Sequence, residues 1–377
     1  MGSITDLDEF GPLWAAMAIA AAVLLCVVPW RRRGRGDAGR ARGPRAYLLT
    51  FALGAVSTVL LCVVAVGALS RFAPQHLPPP AISNHISFDE KLLLLRHHPQ
   101  LRPRILGAGS SITLRSLDGS AFQPQGAEPV FFNAGLAGGQ IHQIRYATSF
   151  FLELFPTVQT IVQVAVPPDF ADCTNERAGF FDASDARAFA RGRMSLARAY
   201  LKYFNPQELI PDAFTMAAKR RGWDEGASER LYMDAFGTMP MQVSAREARQ
   251  RHRELYNEPQ PVDPSCFVEL KRWSREIAAR GKRLYIVVPP ISPIYLHRVP
   301  GAVRSVDQFL AALHNALDGE SAILVDMRDA MPLGSEGFAD AYHLQWTAAR
   351  QFSRKLADLV RHGRPQSAEA TLPPGYD

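Results

Sequence analysis

Hydrophobic and polar positions divide this chain into regimes of different period. From Leu13 to Trp30 there are 18 residues without a charge, and from Ala46 to Leu69 there are 24. About 20 apolar residues cross a bilayer as a helix, so the pattern predicts two transmembrane helices within residues 1–70. From Arg104 onward short β-branched runs alternate with stretches whose apolar residues recur every three or four positions. The runs Arg104 to Ala108, Pro129 to Asn133, Thr160 to Val166, Arg283 to Pro289 and Ala322 to Asp326 read as five buried strands. Helical spacing covers Gly138 to Phe155, Cys266 to Arg280, Val306 to Leu317 and Trp346 to Val360.

Strands alternating with helices predict an α/β domain with a parallel five-stranded sheet covered on both faces. We place it over residues 100–362, with a polar, helix-rich insertion at 170–264. Residues 71–99 form a lead-in: Gln75 to Pro80 is a stiff, proline-rich tether, and Phe88 to His98 is a short amphipathic helix. Residues 363–377 read as a disordered tail, and no internal repeat is visible.

Charge sharpens the membrane reading. The net charge is +6, yet the segment from Arg31 to Arg45 holds seven Arg and one Asp, leaving 35 of 42 basic and 35 of 36 acidic residues elsewhere. The basicity therefore belongs to one loop, and no basic stripe interleaved with aromatics suggests nucleic acid. Asp6, Asp8 and Glu9 precede the first apolar segment, the reverse of a signal-peptide start. An Arg-rich loop at 31–45 stays in the cytoplasm. Everything after about Ser70 then lies on the outer side of the cytoplasmic membrane, in a periplasmic or extracellular setting.

Four cysteines remain. Cys26 and Cys62 lie within the apolar segments and read as small apolar residues. Cys173 and Cys266 fall in the oxidising compartment, where a disulfide closing a loop of roughly 90 residues would contribute about 4 kcal/mol. Two separate buried thiols are the alternative. His97 and His98 are adjacent on a helix and point about 100° apart, so they do not share an ion. No Cys/His cluster has the spacing of a metal site, and neither metal nor cofactor is expected.

In a parallel sheet, chemistry gathers where strands end. Gly109-Ser110-Ser111 follows the first strand, Asn133 to Gly139 the second and Pro167-Pro168-Asp169 the third, while Asp340 and His343 come after the fifth. A serine hydroxyl needs a neighbouring base to become nucleophilic, and histidine is the side chain suited to that role near neutral pH. Asp340, three residues before His343, is placed to orient the imidazole. Gly138 and Gly139 open the following helix, where their N–H groups point toward the active edge as oxyanion donors.

In this order the motifs resemble those of the SGNH (GDSL-like) hydrolases. Gly109-Ser110-Ser111 is similar to their first block, with Ser111 at the nucleophile position and its N–H in the oxyanion hole. Asn133-x-Gly135-x-x-Gly138 looks like the second, whose last glycine donates to the oxyanion. Asp340-x-x-His343-Leu344 looks like the last, supplying the Asp and the His. The resemblance implies a flavodoxin-like three-layer sandwich, with Asn133 and Asp169 as accessory residues. The third block departs from the family's Gly-x-Asn-Asp: here the segment is Val166-Pro167-Pro168-Asp169, with proline where the oxyanion-donating asparagine stands. That departure is similar to the membrane-anchored envelope branch, which includes the D-alanyl transfer protein and the alginate O-acetylation proteins. A loop like Val288 to Tyr295 also occurs there.

The resemblance implies a serine-dependent O-acyltransferase, chiefly an O-acetyltransferase, on an exported polysaccharide or other envelope polymer. Its acyl donor would be delivered by a membrane-bound O-acyltransferase partner. The same residues would serve an acyl esterase with water as acceptor, and the altered third block leaves room for a non-catalytic assembly protein on the same fold.

Overall fold

The structure, a computed structural model, describes residues 44–72, 77–83, 85–123, 130–174, 177–205, 209, 211–213, 233–331 and 333–362. The chain divides into two compact units, residues 1–81 with 194–218, and residues 82–193 with 219–377.

In the first unit, α1 (Pro44–Phe72) carries no acidic residue and has Arg71 in its last turn. Its stretch Leu48–Phe72 is 25 residues long and apolar enough to cross a membrane. At 1.5 Å per residue it outreaches a hydrocarbon core of about 30 Å. Leu49, Phe51, Leu60 and Val64 are exposed. Val66, Leu77 and Tyr200 form a small apolar cluster, and residues 77–80 are buried. Tyr200 belongs to α6 (Leu196–Lys202), and its hydroxyl donates to the Pro78 carbonyl. One apolar helix is thus present among the described residues. The segment expected from Leu13 to Trp30 lies outside them.

In the second unit, α2 (Ile86–His97) leads into a five-stranded sheet. The strands are β1 (Ile105–Gly107), β2 (Phe131–Asn133), β3 (Thr160–Val164), β4 (Arg283–Val288) and β5 (Ile323–Asp326). All neighbours run parallel, in the order β2-β1-β3-β4-β5. That order reverses between β1 and β3, the switch point where open α/β sheets place ligands. β3 is buried at every position, which explains its run of β-branched residues on both faces.

The helices are α3 (Ser111–Ser116), α4 (Ile141–Leu154), α5 (Ala183–Ala190), α7 (Ala245–Glu254), α8 (Pro264–Ala279), α9 (Pro293–Arg298), α10 (Ala302–Leu317) and α11 (Trp346–His362). One set, α4, α8 and α10, packs together, while α11 packs on α3 and on the 3-10 turn Gly119–Phe122. With the parallel sheet these helices make the α/β domain that the sequence pattern predicts. Phe352, Leu356 and Val360 carry α11 into the core shared with Val162, Val164 and Val287. Each such side chain contributes roughly 1.5–3 kcal/mol by leaving water.

Candidate active site

β1 ends at Gly107, and the chain turns into α3 within four residues. Ser110 is the N-cap of that helix: its hydroxyl oxygen accepts from the Ile112 N–H at 3.2 Å. A serine cap satisfies one of the amides a helix start leaves open, so the helix begins at Ser111 and lifts this side chain to the carboxyl edge of the sheet.

The second loop is zipped against the first. Ala134 N–H donates to Gly107 O at 2.6 Å and Leu136 N–H to Gly109 O at 2.8 Å. Asn133 is fully buried. Its amide donates to the carbonyls of Thr113 (3.0 Å) and Leu114 (3.3 Å) and to Thr238 Oγ1 (3.2 Å), and its Oδ1 accepts from Gly135 N–H at 2.9 Å. Gly135 must be glycine because a Cβ there would lie 2.6 Å from the Leu114 nitrogen. Asn133 is thus a clamp on the helix that begins at Ser111. Gly138 sits in an exposed turn with φ +71°. The helix after it opens at Ile141, capped by Gln140. The expectation that Gly138 and Gly139 open the helix is corrected: the positive φ puts Gly138 in a turn, Gly139 N–H donates back to Leu136 O at 3.4 Å, and the helix starts at Ile141.

The last motif lies on a tight loop. Phe338 and Leu344 form a β-bridge, Ala339 N–H donates to His343 O at 2.8 Å, and Gln345 N–H donates to Gly337 O at 2.9 Å. Asp340 is 1% exposed and His343 8%. Asp340 Oδ1 accepts from the backbone N–H groups of Tyr342 (3.0 Å) and His343 (2.9 Å), and Oδ2 lies 2.8 Å from His343 Nδ1. On the other side of the ring, Nε2 lies 3.0 Å from Ser111 Oγ. With Nδ1–H donating to the carboxylate, the Nε2 lone pair faces the serine hydroxyl. Burial pushes the Asp340 acid up, but the facing His343 ring and the three hydrogen bonds more than offset it, holding the carboxyl well below the usual range. Ser111, His343 and Asp340 are therefore linked in one line across 232 residues of sequence.

Asp169, in the 3-10 turn Pro167–Phe170, is 2% exposed, and its Oδ2 accepts from Val166 N–H at 3.3 Å. Cys173 and Cys266 are joined as a disulfide, with Cα atoms 5.2 Å apart. No group of three His, Cys, Asp or Glu among the described residues is arranged to hold a metal ion.

Three aromatic groups at this edge were not singled out from sequence. The Tyr342 ring meets Tyr295 at 5.3 Å and Tyr256 at 5.0 Å between centroids. Burial pushes the Tyr256 phenol up, with the nearby charges of Asp340 and Asp169 adding to the rise. Tyr256 has φ +55°, the left-handed region that costs a bulky residue energy. Arg298 holds its turn through the carbonyls of Arg253, Leu255 and Tyr256 and the Asn257 side chain. His252, from α7, is also buried beside Asp340, and burial lowers its pKa. Gln345 pairs with both backbone groups of Val243, at 2.9 and 3.2 Å. The end of the insertion thus packs against the loop carrying Asp340 and His343.

The sheet order and the linked Ser–His–Asp set fit a flavodoxin-like α/β domain of SGNH type. No family model matches the chain, and no curated protein matches it either.

Proposed function

We propose that the protein is a membrane-anchored, serine-dependent O-acyltransferase, acting as an O-acetyltransferase on an exported polysaccharide or similar envelope polymer. The observation that carries the acyl-transfer chemistry is the 2.8 Å and 3.0 Å line from Asp340 through His343 to Ser111. His343 Nε2 takes the Ser111 proton as Oγ attacks the carbonyl carbon of an acyl donor. The tetrahedral oxyanion is held by the N–H groups of Ser111 and Gly138. Its collapse expels the donor's leaving group, which receives the proton from His343, and leaves an ester on Ser111. An acceptor hydroxyl then gives its proton to His343 as it attacks that ester, and the acylated acceptor departs as His343 returns the proton to Ser111 Oγ.

A membrane anchor is supported by one apolar helix of sufficient length, and an outward-facing α/β domain by the Cys173–Cys266 disulfide, which belongs to an oxidising compartment, while the second span rests on the sequence alone. The polymer substrate and a membrane-bound O-acyltransferase partner rest on the sequence resemblance. With water as acceptor the same steps make an esterase. Acetate release from an acetylated polymer without another acceptor distinguishes that outcome.

The test is covalent labelling of the full-length protein by a fluorophosphonate, together with polymer acylation in cells. Ser111→Ala should abolish both, and labelling that persists in this variant overturns the assignment. A Ser111→Ala, His343→Ala double variant that complements a deletion normally would leave the fold an assembly role.

A further inference from the structure

Ser111 and His343 come from two separately built pieces, α3 and the loop 337–345, and their 3.0 Å contact spans both. Asp340 and His343 are fixed within that loop, through the Oδ1 bonds to the Tyr342 and His343 N–H groups and the Oδ2 contact with Nδ1. Those bonds do not set how far the ring stands from Ser111. A third segment reaches both pieces. Residues 238–243 run toward α7 with Met239, Met241 and Val243 buried and Gln242 exposed, the alternation of an extended chain. At one end Thr238 Oγ1 donates to Leu117 O at 2.7 Å and Met239 N–H donates to Leu114 O at 3.1 Å, which grips α3. At the other, Val243 N–H donates to Gln345 Oε1 at 2.9 Å, and Gln345 Nε2 donates to Val243 O at 3.2 Å.

Gln345 passes this hold to the histidine. It lies two positions after His343, its side chain is buried, and its own N–H donates to Gly337 O. Its carbonyl accepts from Ala349 N–H in α11 at 2.8 Å. Met241, Val243 and Ala248 pack with Ala339, whose N–H donates to His343 O. Thr238 is anchored as well: it is 0% exposed and accepts from the Asn133 amide at 3.2 Å. Beyond α3, Ser353 of α11 accepts from Asp118 N–H at 2.8 Å, so the segment closes a frame around the Ser–His contact. An extended chain already rises about 3.3 Å per residue and has little length to give. Drawing the loop away from α3 therefore breaks hydrogen bonds at one end of it.

We propose that the segment 238–243 is a positioning strap for acyl transfer, in which Thr238 and Gln345 hold α3 and the histidine loop at the separation that keeps Ser111 Oγ against His343 Nε2. The inference rests on the acyl-enzyme reading of Ser111, and it gives the end of the insertion a task at the site. Rate depends steeply on such a separation, since a misplacement of about 1 Å costs about 10²-fold. Asp340 and His343, bonded within one loop, keep their pairing when the strap is cut. Ser111 and His343, carried on different elements, do not.

The experiment follows kcat and KM for a nitrophenyl acetate with full-length protein in detergent. Gln345→Met keeps the length and loses both bonds to Val243, and Thr238→Val keeps the shape and loses the hydroxyl. Each should lower kcat about 10–10²-fold with KM nearly unchanged, and fluorophosphonate labelling should slow in proportion. The double variant should lose little more than either single one, because a strap cut at one end is already free. Thr238→Ser, which keeps the hydroxyl, should recover most of the loss. The downfield proton resonance of His343 Nδ1–H should persist in Gln345→Met, since its Asp340 partner lies on the same loop. A Gln345→Met protein with wild-type kcat overturns the proposal. So do losses that add in the double variant, or a vanished Nδ1–H resonance, which would make Gln345 a support of its own loop alone. Should Gln345→Met not accumulate, Thr238→Val and Thr238→Ser decide, and equal kcat in the two overturns it. An unlabelled wild type removes the acyl-enzyme reading and this inference with it, whereas a labelled wild type with unslowed variants removes this inference alone.

Discussion

Asp340 orients the imidazole through Nδ1 and gains from it in return. Asp340→Asn keeps the shape but offers an amide in place of an acceptor-only group, so the ring loses the tautomer that faces Ser111. We expect kcat for a nitrophenyl ester to fall about 10³–10⁴-fold, with KM nearly unchanged, in steady-state assays at pH 7–8. The same carboxyl links stability to pH. Its acid is depressed in the folded state, so its stabilisation is full above the ordinary carboxylate value of about 3.9 and is lost as pH falls through the folded value. Urea midpoints should therefore fall further for the wild type than for Asp340→Asn as pH drops below about 4. Ser111, Asp340 and His343 were legible in the sequence because they end or follow strands in a recognisable order. Tyr256 and His252 were not, because nothing in their local sequence ties them to Asp340, more than eighty residues on.

Long helices were legible and short ones were not. The expected strands and the helices of α4, α8, α10 and α11 occur within a few residues of their predicted ends, since the strands stand out as apolar, β-branched runs and the helices carry enough turns to show a period. α3 and α9 have six residues each, too few for a period. The existence of α3 depends instead on the Ser110 cap and on Asn133, which holds the Thr113 and Leu114 carbonyls from the neighbouring strand. Asn133→Ala leaves those carbonyls, the Gly135 N–H and Thr238 without this partner in a buried site. At about 1–3 kcal/mol for a buried group left unpaired, the variant should lose at least about 2 kcal/mol in urea unfolding. Its kcat should fall as well, because α3 carries Ser111. Unchanged stability would mean that the clamp is redundant with the strand contacts at Gly107 and Gly109.

At the scale of the molecule, the disulfide bears on both stability and placement. Asp263 caps α8 by accepting from Ser265 N–H at 2.8 Å, and its other oxygen accepts from Cys173 N–H at 3.0 Å. The cap thus brings the loop after β3 up to Cys266, and sequence alone left this pairing open because the two cysteines are 93 residues apart. Closing so long a loop restricts the unfolded chain and contributes about 4 kcal/mol in the chain-entropy account. Cys173→Ala with Cys266→Ala should therefore lower the urea midpoint, and reductant should lower it in the wild type but not in the double variant. The bond also reports compartment, since thiols stay reduced in the cytosol. Cells quenched in acid and treated with a maleimide–polyethylene glycol should show no modification at Cys173 or Cys266 until a reductant is added. Immediate modification of both would place the α/β unit on the reducing side of the membrane. An exported polymer would then be out of its reach, whatever the chemistry at Ser111.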